Sequence, residues 1–196
     1  TLEHYLTTRA IPVDLARLYF AEARYRIDDP GGAREYRALA FANDAGGYEL
    51  RSPSFKGTLG VKAPRFIPAT TLRPDAAVFE GAMDFVSALA YYGRERSDGN
   101  VLVLNSTALV EKGLERLQAE GLHTALTYFD HDEAGRSATR RFEDEGARYG
   151  VRIVRDMASM KSSQITSSRN KPRSNQRLFC RLMKTSNSRD GSDRVR

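Results

Sequence analysis

The stretch from Asp75 to Asp156 alternates short apolar runs with helical ones, and this rhythm constrains the fold more than any other feature of the chain. "DAAVFE" (75–80), "VLVLN" (101–105), "TALTYFD" (124–130) and "VRIVRD" (151–156) are rich in strand formers. Between them lie "AMDFVSALAYYGRE" (82–95), "TALVEKGLERLQAEG" (107–121) and "EAGRSATRRFEDEGARYG" (133–150), which read as helices. Gly121 and Gly150 end the last two, as glycine does where a helix stops in the left-handed conformation. The order β-α-β-α-β-α-β with near-continuous apolar strands predicts a parallel sheet covered on both faces. In such sheets ligands bind beyond the carboxyl ends of the strands. The residues that leave those strands therefore carry the functional information.

Residues 1–73 have a different texture and read as a small α+β subdomain. "PVDLARLYFAEA" (12–23) places Val13, Leu15, Ala16, Leu18 and Tyr19 at helical spacing, with Asp14 suited to the positive end of a helix dipole. "ARYRI", "EYRALAFAN" and "GYELR" read as short strands. The turn signals "DDPGG" and "NDAGG" separate them, so two or three antiparallel strands are expected. The division is then 1–73, 74–156 and a tail, 157–196.

The tail breaks the rhythm. It holds nine serines, ten Lys/Arg and two Asp/Glu, a net charge of +8. The whole chain carries +6, so residues 1–156 carry −2. A serine-rich basic segment without periodicity is expected to be disordered and solvated, and it could also neutralise phosphates of nucleic acid. Cys180 is the only cysteine, which excludes a disulfide scaffold or a cysteine zinc site within these residues. No apolar run is long enough to span a bilayer, and the first residues lack the pattern of a secretory signal, so a cytoplasmic protein is expected.

Two of the four strands end in acids. The first ends in Glu80, followed by Gly81 and, one helical turn on, Asp84. The third ends in Asp130, with His131 and Asp132 after it. Like charges one residue apart repel unless something positive lies between them. If the first and third strands are neighbours, Glu80, Asp130 and Asp132 converge on one crevice, as oxygen ligands for a hard divalent cation do. Each acid also has a plainer reading. Asp132 could cap the helix that starts at Glu133, and Asp84 could answer the dipole of its own helix. His131, between two aspartates, reads as a surface residue.

The segments "VFEGAMDFVSALAYYG" and "LTYFDHDEAGRSATRRF" resemble the TOPRIM domain of bacterial primases and of type IA and II topoisomerases. In the primase branch the motifs run E-G-x-x-D and F-D-x-D-x-A-G. Here they stand as Glu80-Gly81-Ala82-Met83-Asp84 and Phe129-Asp130-His131-Asp132-Glu133-Ala134-Gly135, in the same order and with a βα unit between. The resemblance covers residues 75–156. It implies an α/β fold with a TOPRIM-like parallel sheet, and Mg²⁺ or Mn²⁺ held by Glu80, Asp84, Asp130 and Asp132. Glu80, Asp130 and Asp132 are then the catalytic acids. It implies DNA primase-like nucleotidyl transfer from nucleoside triphosphates on single-stranded DNA, in the setting of a mobile element, with a replicative helicase as a partner.

"FANDAGGYELRSPSFKGTLGVKAPRFI" resembles the basic subdomain that precedes TOPRIM in such proteins. That makes Arg51, Lys56, Lys62 and Arg65 candidates for contacting nucleic acid, with Arg136 and Lys56 meeting phosphate charge. Each of these is also readable as an ordinary surface cation. Two departures stand out. The zinc-binding module usual in primases is not in this stretch and is expected upstream, since the chain starts at Thr1 without an initiator methionine. The further acids that follow the last strand in the family, often in a K-D-x-N-like stretch, are replaced by the basic tail. Two other functions use the same residues. One is a TOPRIM nuclease cutting phosphodiesters with these acids. The other is a non-catalytic nucleic-acid-binding accessory protein.

Overall fold

The computed structural model describes residues 1–29, 32–129 and 132–155. Asp130, His131, Asp156 and the tail expected to be disordered, 157–196, lie outside them. Two short helices, α1 (Leu2–Thr8) and α2 (Val13–Arg17), open the chain. Four strands follow: β1 (Phe20–Asp29), β2 (Gly32–Ala42), β3 (Tyr48–Ser52) and β4 (Phe55–Leu59). Each pairs antiparallel with the next, in the order β1-β2-β3-β4.

The helix expected over 12–23 is cut short. Its second half becomes β1, which pairs with β2 along ten residues from Phe20↔Phe41 to Asp29↔Gly32. The ladder pairs Phe20 to Ala23 with β2, and Phe20 is buried against Phe41, with ring centroids 5.7 Å apart. Tertiary pairing thus outweighs a short helical periodicity.

The turn between β2 and β3 is closed by one side chain. Asn43 Oδ1 accepts from the amides of Ala45 and Gly47, and Asn43 Nδ2 donates to the Val61 carbonyl at 2.7 Å. Gly47 lies so close to the returning chain that an added Cβ would collide with the Val61 carbonyl oxygen. We expect Gly47→Ala to cost about 1–3 kcal/mol through the forced backbone shift. A thermal melt that matches the parent would show that the turn can relax without cost.

The second sheet holds β5 (Arg65–Ile67), β6 (Asp75–Phe79), β7 (Asn100–Val103), β8 (Thr124–Tyr128) and β9 (Arg152–Arg155). The helices α3 (Ala82–Tyr92), α4 (Val110–Ala119) and α5 (Glu133–Gly146) connect the last four strands. The order is β5-β7-β6-β8-β9, with β6 at the centre. Strands β6 to β9 are parallel to their neighbours, and β5 closes one edge antiparallel to β7. The edge strand β5 comes from within residues 1–73, and Asp44 ties it down by accepting from the Phe66 amide at 2.9 Å and from Arg65 Nη1 at 3.2 Å.

Both faces of the sheet are covered, as the unbroken apolar strands require. Ala77, Phe79, Val101, Val103 and Leu126 pack with α3 and with Leu6, Leu15, Phe20 and Phe41 of the first unit. Ala76, Val78, Leu102, Leu104 and Ala125 pack with Val110, Leu114 and Leu117 of α4 and Ala138 and Phe142 of α5. Among the described residues no helix is long and apolar enough to cross a membrane.

Candidate active site

Strand β6 sends β7 to one side and β8 to the other, so the strand order reverses at its carboxyl end. A crevice opens at such a reversal. Glu80 is the first residue beyond β6, and its Oε2 is buried. Gly81 follows as the N-cap of α3, with extended backbone, and Asp84 sits in the first turn of that helix. A Cβ added at Gly81 would come within 3.2 Å of Asp84 Oδ2. The Asp84 carboxylate therefore folds back over the glycine, next to Glu80 in the chain.

A cavity of about 420 Å³ lies at this point. Glu80, Gly81, Met83 and Asp84 form one wall. Arg51, Ser52, Pro53, Ser54, Phe55 and Lys56, the β3–β4 hairpin of the first sheet, form another, with Tyr5, Arg9 and Asn105 completing it. Arg51 and Lys56 are cross-strand partners in that hairpin, which presents two cations on one end of the sheet. Burial pulls the Arg51 guanidinium below its usual pKa, and the negative charges of Glu49 and Asp84, with Tyr5, oppose that fall. Arginine stays charged under such a shift. The cavity thus joins carboxylates from the second sheet to a partly desolvated cation from the first.

Of the residues singled out in the sequence, Glu80, Asp84, Arg51 and Lys56 meet in this cavity. Asp132 is exposed and is the N-cap of α5, its Oδ1 accepting from the Gly135 amide at 2.8 Å. The cap uses one lone pair of a carboxylate that has about four. Lys62 is exposed on the segment between β4 and β5, and Arg136 is exposed in the first turn of α5. Arg65 pairs with Asp44. Asp130 lies outside the described residues. Among the described residues no three of His, Cys, Asp and Glu gather closely enough to hold a metal ion.

Tyr5 and Arg9 of the cavity escape a reading of the sequence, and Asn105 stands out there only as a polar, uncharged strand end. Tyr5 and Arg9 come from the first helix and its end, and the Arg9 guanidinium lies 5.1 Å from the centre of the Tyr5 ring. Nothing local in "HYLTTRA" signals that position. Asn105 closes the run "VLVLN", and the signal there is a polar residue at the exit of an otherwise apolar strand.

Comparison with known proteins bears on the family and the fold. Residues 77–163 match the Toprim-like family. The chain carries a Toprim-like domain. Within it, β6 leads into the Glu80-to-Asp84 segment and β8 leads toward the Asp130-to-Asp132 segment, and the two strands are direct parallel neighbours. Residues 1–60 match a domain of unknown function (DUF8464). A search of curated proteins found no match.

Among solved structures, the zinc-binding and RNA polymerase domains of the Aquifex aeolicus primase superpose with a TM-score of 0.60 at 16% identity, over 78% of this chain and 48% of that one. The primase fragment of the bacteriophage T7 primase-helicase protein gives a TM-score of 0.50 at 18% identity, over 76% of this chain and 62% of that one. The chain thus spans about half the length of the Aquifex primase chain, and at these identities the likeness is one of fold.

Proposed function

We propose that the chain is a primase-like nucleotidyltransferase, joining nucleoside triphosphates on a single-stranded DNA template. The observation that carries this reading is the mixed lining of one cavity. Glu80 and Asp84 reach it from the end of the central strand, and Arg51 and Lys56 reach it from the first sheet. A triphosphate with its cations needs both signs of charge at close quarters.

The oxygen donors of the site suit a hard divalent cation, Mg²⁺ or Mn²⁺. Glu80, Asp130 and Asp132 would hold it, with Asp84 beside them. Such an ion, when bound, activates the attacking oxygen and stabilises the leaving one in phosphoryl transfer. The chain's own residues do the rest. Arg51, held in a partly desolvated place, faces the phosphates with a planar fork of donors. Lys56, exposed beside it, adds a point charge. Glu80, half-buried at the mouth of the sheet, is placed to hold a proton or a ligand at the reacting centre. Lys62, Arg65 and Arg136 lie outside the cavity and could serve the template, as could the basic tail, with a helicase as the natural partner of such an activity.

Primer synthesis from labelled nucleoside triphosphates on single-stranded DNA tests the reading. Cleavage of the template without synthesis would favour the nuclease that the same acids could support. We expect Arg51→Ala to lower synthesis about 10- to 100-fold, the equivalent of one or two charge-assisted hydrogen bonds to phosphate. Its effect should fall mainly on the apparent nucleotide affinity. An unchanged rate at limiting nucleotide would remove Arg51 from the site.

A further inference from the structure

Asn105 is the first polar residue beyond β7, the strand next to β6. Register places Val103 opposite Phe79, and the Leu104 amide donates to the Phe79 carbonyl at 2.9 Å. Asn105 therefore leaves its strand beside the Glu80–Gly81 step, and it lines the same cavity. Its residue surface is only 2% exposed. The side-chain Nδ2 donates to the Ala63 carbonyl at 3.0 Å. That contact fixes the amide, because a carbonyl oxygen can only accept. The other end of the amide must then be the oxygen. Among the described residues, this buried Oδ1 has no hydrogen-bond partner.

A buried acceptor left unsatisfied costs about 1–3 kcal/mol. The backbone adds to the oddity, since Asn105 has φ +66°, a conformation that asparagine tolerates better than most residues. A strut for the Ala63 segment would need only the nitrogen. The oxygen needs a proton donor or a cation, and the cavity it borders sets the carboxylates Glu80 and Asp84 on its own side against Arg9, Arg51 and Lys56 on the other.

We propose that Asn105 is a positioning residue of the divalent-cation site, its Oδ1 serving as an oxygen acceptor toward the hydrated ion that Glu80 would hold. This rests on the cation-dependent reading above. It adds a neutral oxygen from just beyond β7 to the carboxylates that follow β6.

The test is a Mn²⁺ titration followed by paramagnetic resonance, with thermal melts run with and without the ion, on the full chain and on Asn105→Gly, Asn105→Asp and Glu80→Gln. Glycine keeps the positive φ and removes the oxygen, so we expect Asn105→Gly to bind Mn²⁺ about tenfold more weakly, as loss of an outer-sphere partner does. Asn105→Asp loses the bond to Ala63 and should melt lower without metal. Its added charge should make its Mn²⁺-induced rise in Tm larger than that of the parent. Unchanged Mn²⁺ affinity in Asn105→Gly, with Glu80→Gln still abolishing binding, would overturn the proposal alone and leave Asn105 a strut. Weak binding of equal strength in all four proteins would overturn the cation site itself, and this inference with it.

Discussion

Glu80→Gln should abolish nucleotidyl transfer, by about 100-fold or more, while leaving the melting temperature unchanged. Glu80 stands at the exit of the central strand with one oxygen buried. Glutamine keeps the shape and an oxygen that accepts, so the packing is spared, and it removes the anionic ligand. Primer synthesis and a thermal melt on the same preparation check both halves. Retained synthesis, or a large fall in Tm, would show that Glu80 is there for the fold and not for the chemistry.

Phe85→Ala is expected to cost about 3–5 kcal/mol, the largest effect on stability among the changes considered. Phe85 is fully buried on α3. Its ring meets Phe79 at 5.5 Å and Tyr19 at 5.1 Å, edge-on. Tyr19 in turn donates its hydroxyl to the Glu95 carbonyl at 2.8 Å, beyond the far end of the same helix. One ring therefore joins β6, which presents Glu80, to the segment between α2 and β1. Because the cavity takes its acids from one side of that junction and its cations from the other, the substitution should weaken Mn²⁺ binding less than it weakens nucleotide binding. Denaturant unfolding measures the first effect, and a loss under about 1 kcal/mol would mean that the core closes over the missing ring.

The parallel sheet was readable because its strands are buried on both faces and so appear as unbroken apolar runs. "DAAVFE", "VLVLN", "TALTYFD" and "VRIVRD" each contain an observed strand, and β6 and β8 pair as the convergence of their acids requires. The first unit was harder. "PVDLARLYFAEA" carries helical spacing, yet Phe20 to Ala23 pair with β2, because a ten-residue ladder outweighs a local preference of a few tenths of a kcal/mol per residue. β4 and β5 gave no periodic signal, since "FKGTL" and "RFI" are short and draw their stability from neighbours distant in sequence. Glu80, Asp84, Arg51 and Lys56, which line one cavity, could be picked out in the sequence by type and position. That the β3–β4 hairpin faces Glu80 across a cavity was not, because nothing in either segment encodes the other.

On the function proposed above, the acids following β6 and β8 make one cation site. Paramagnetic resonance of Mn²⁺ titrated into the chain and into Asp130→Asn/Asp132→Asn tests it most directly. Saturable binding in the parent that disappears in the double variant is the expected result. Equal, weak binding by both would contradict it, and would leave Asp132 as the cap of α5 and nothing more.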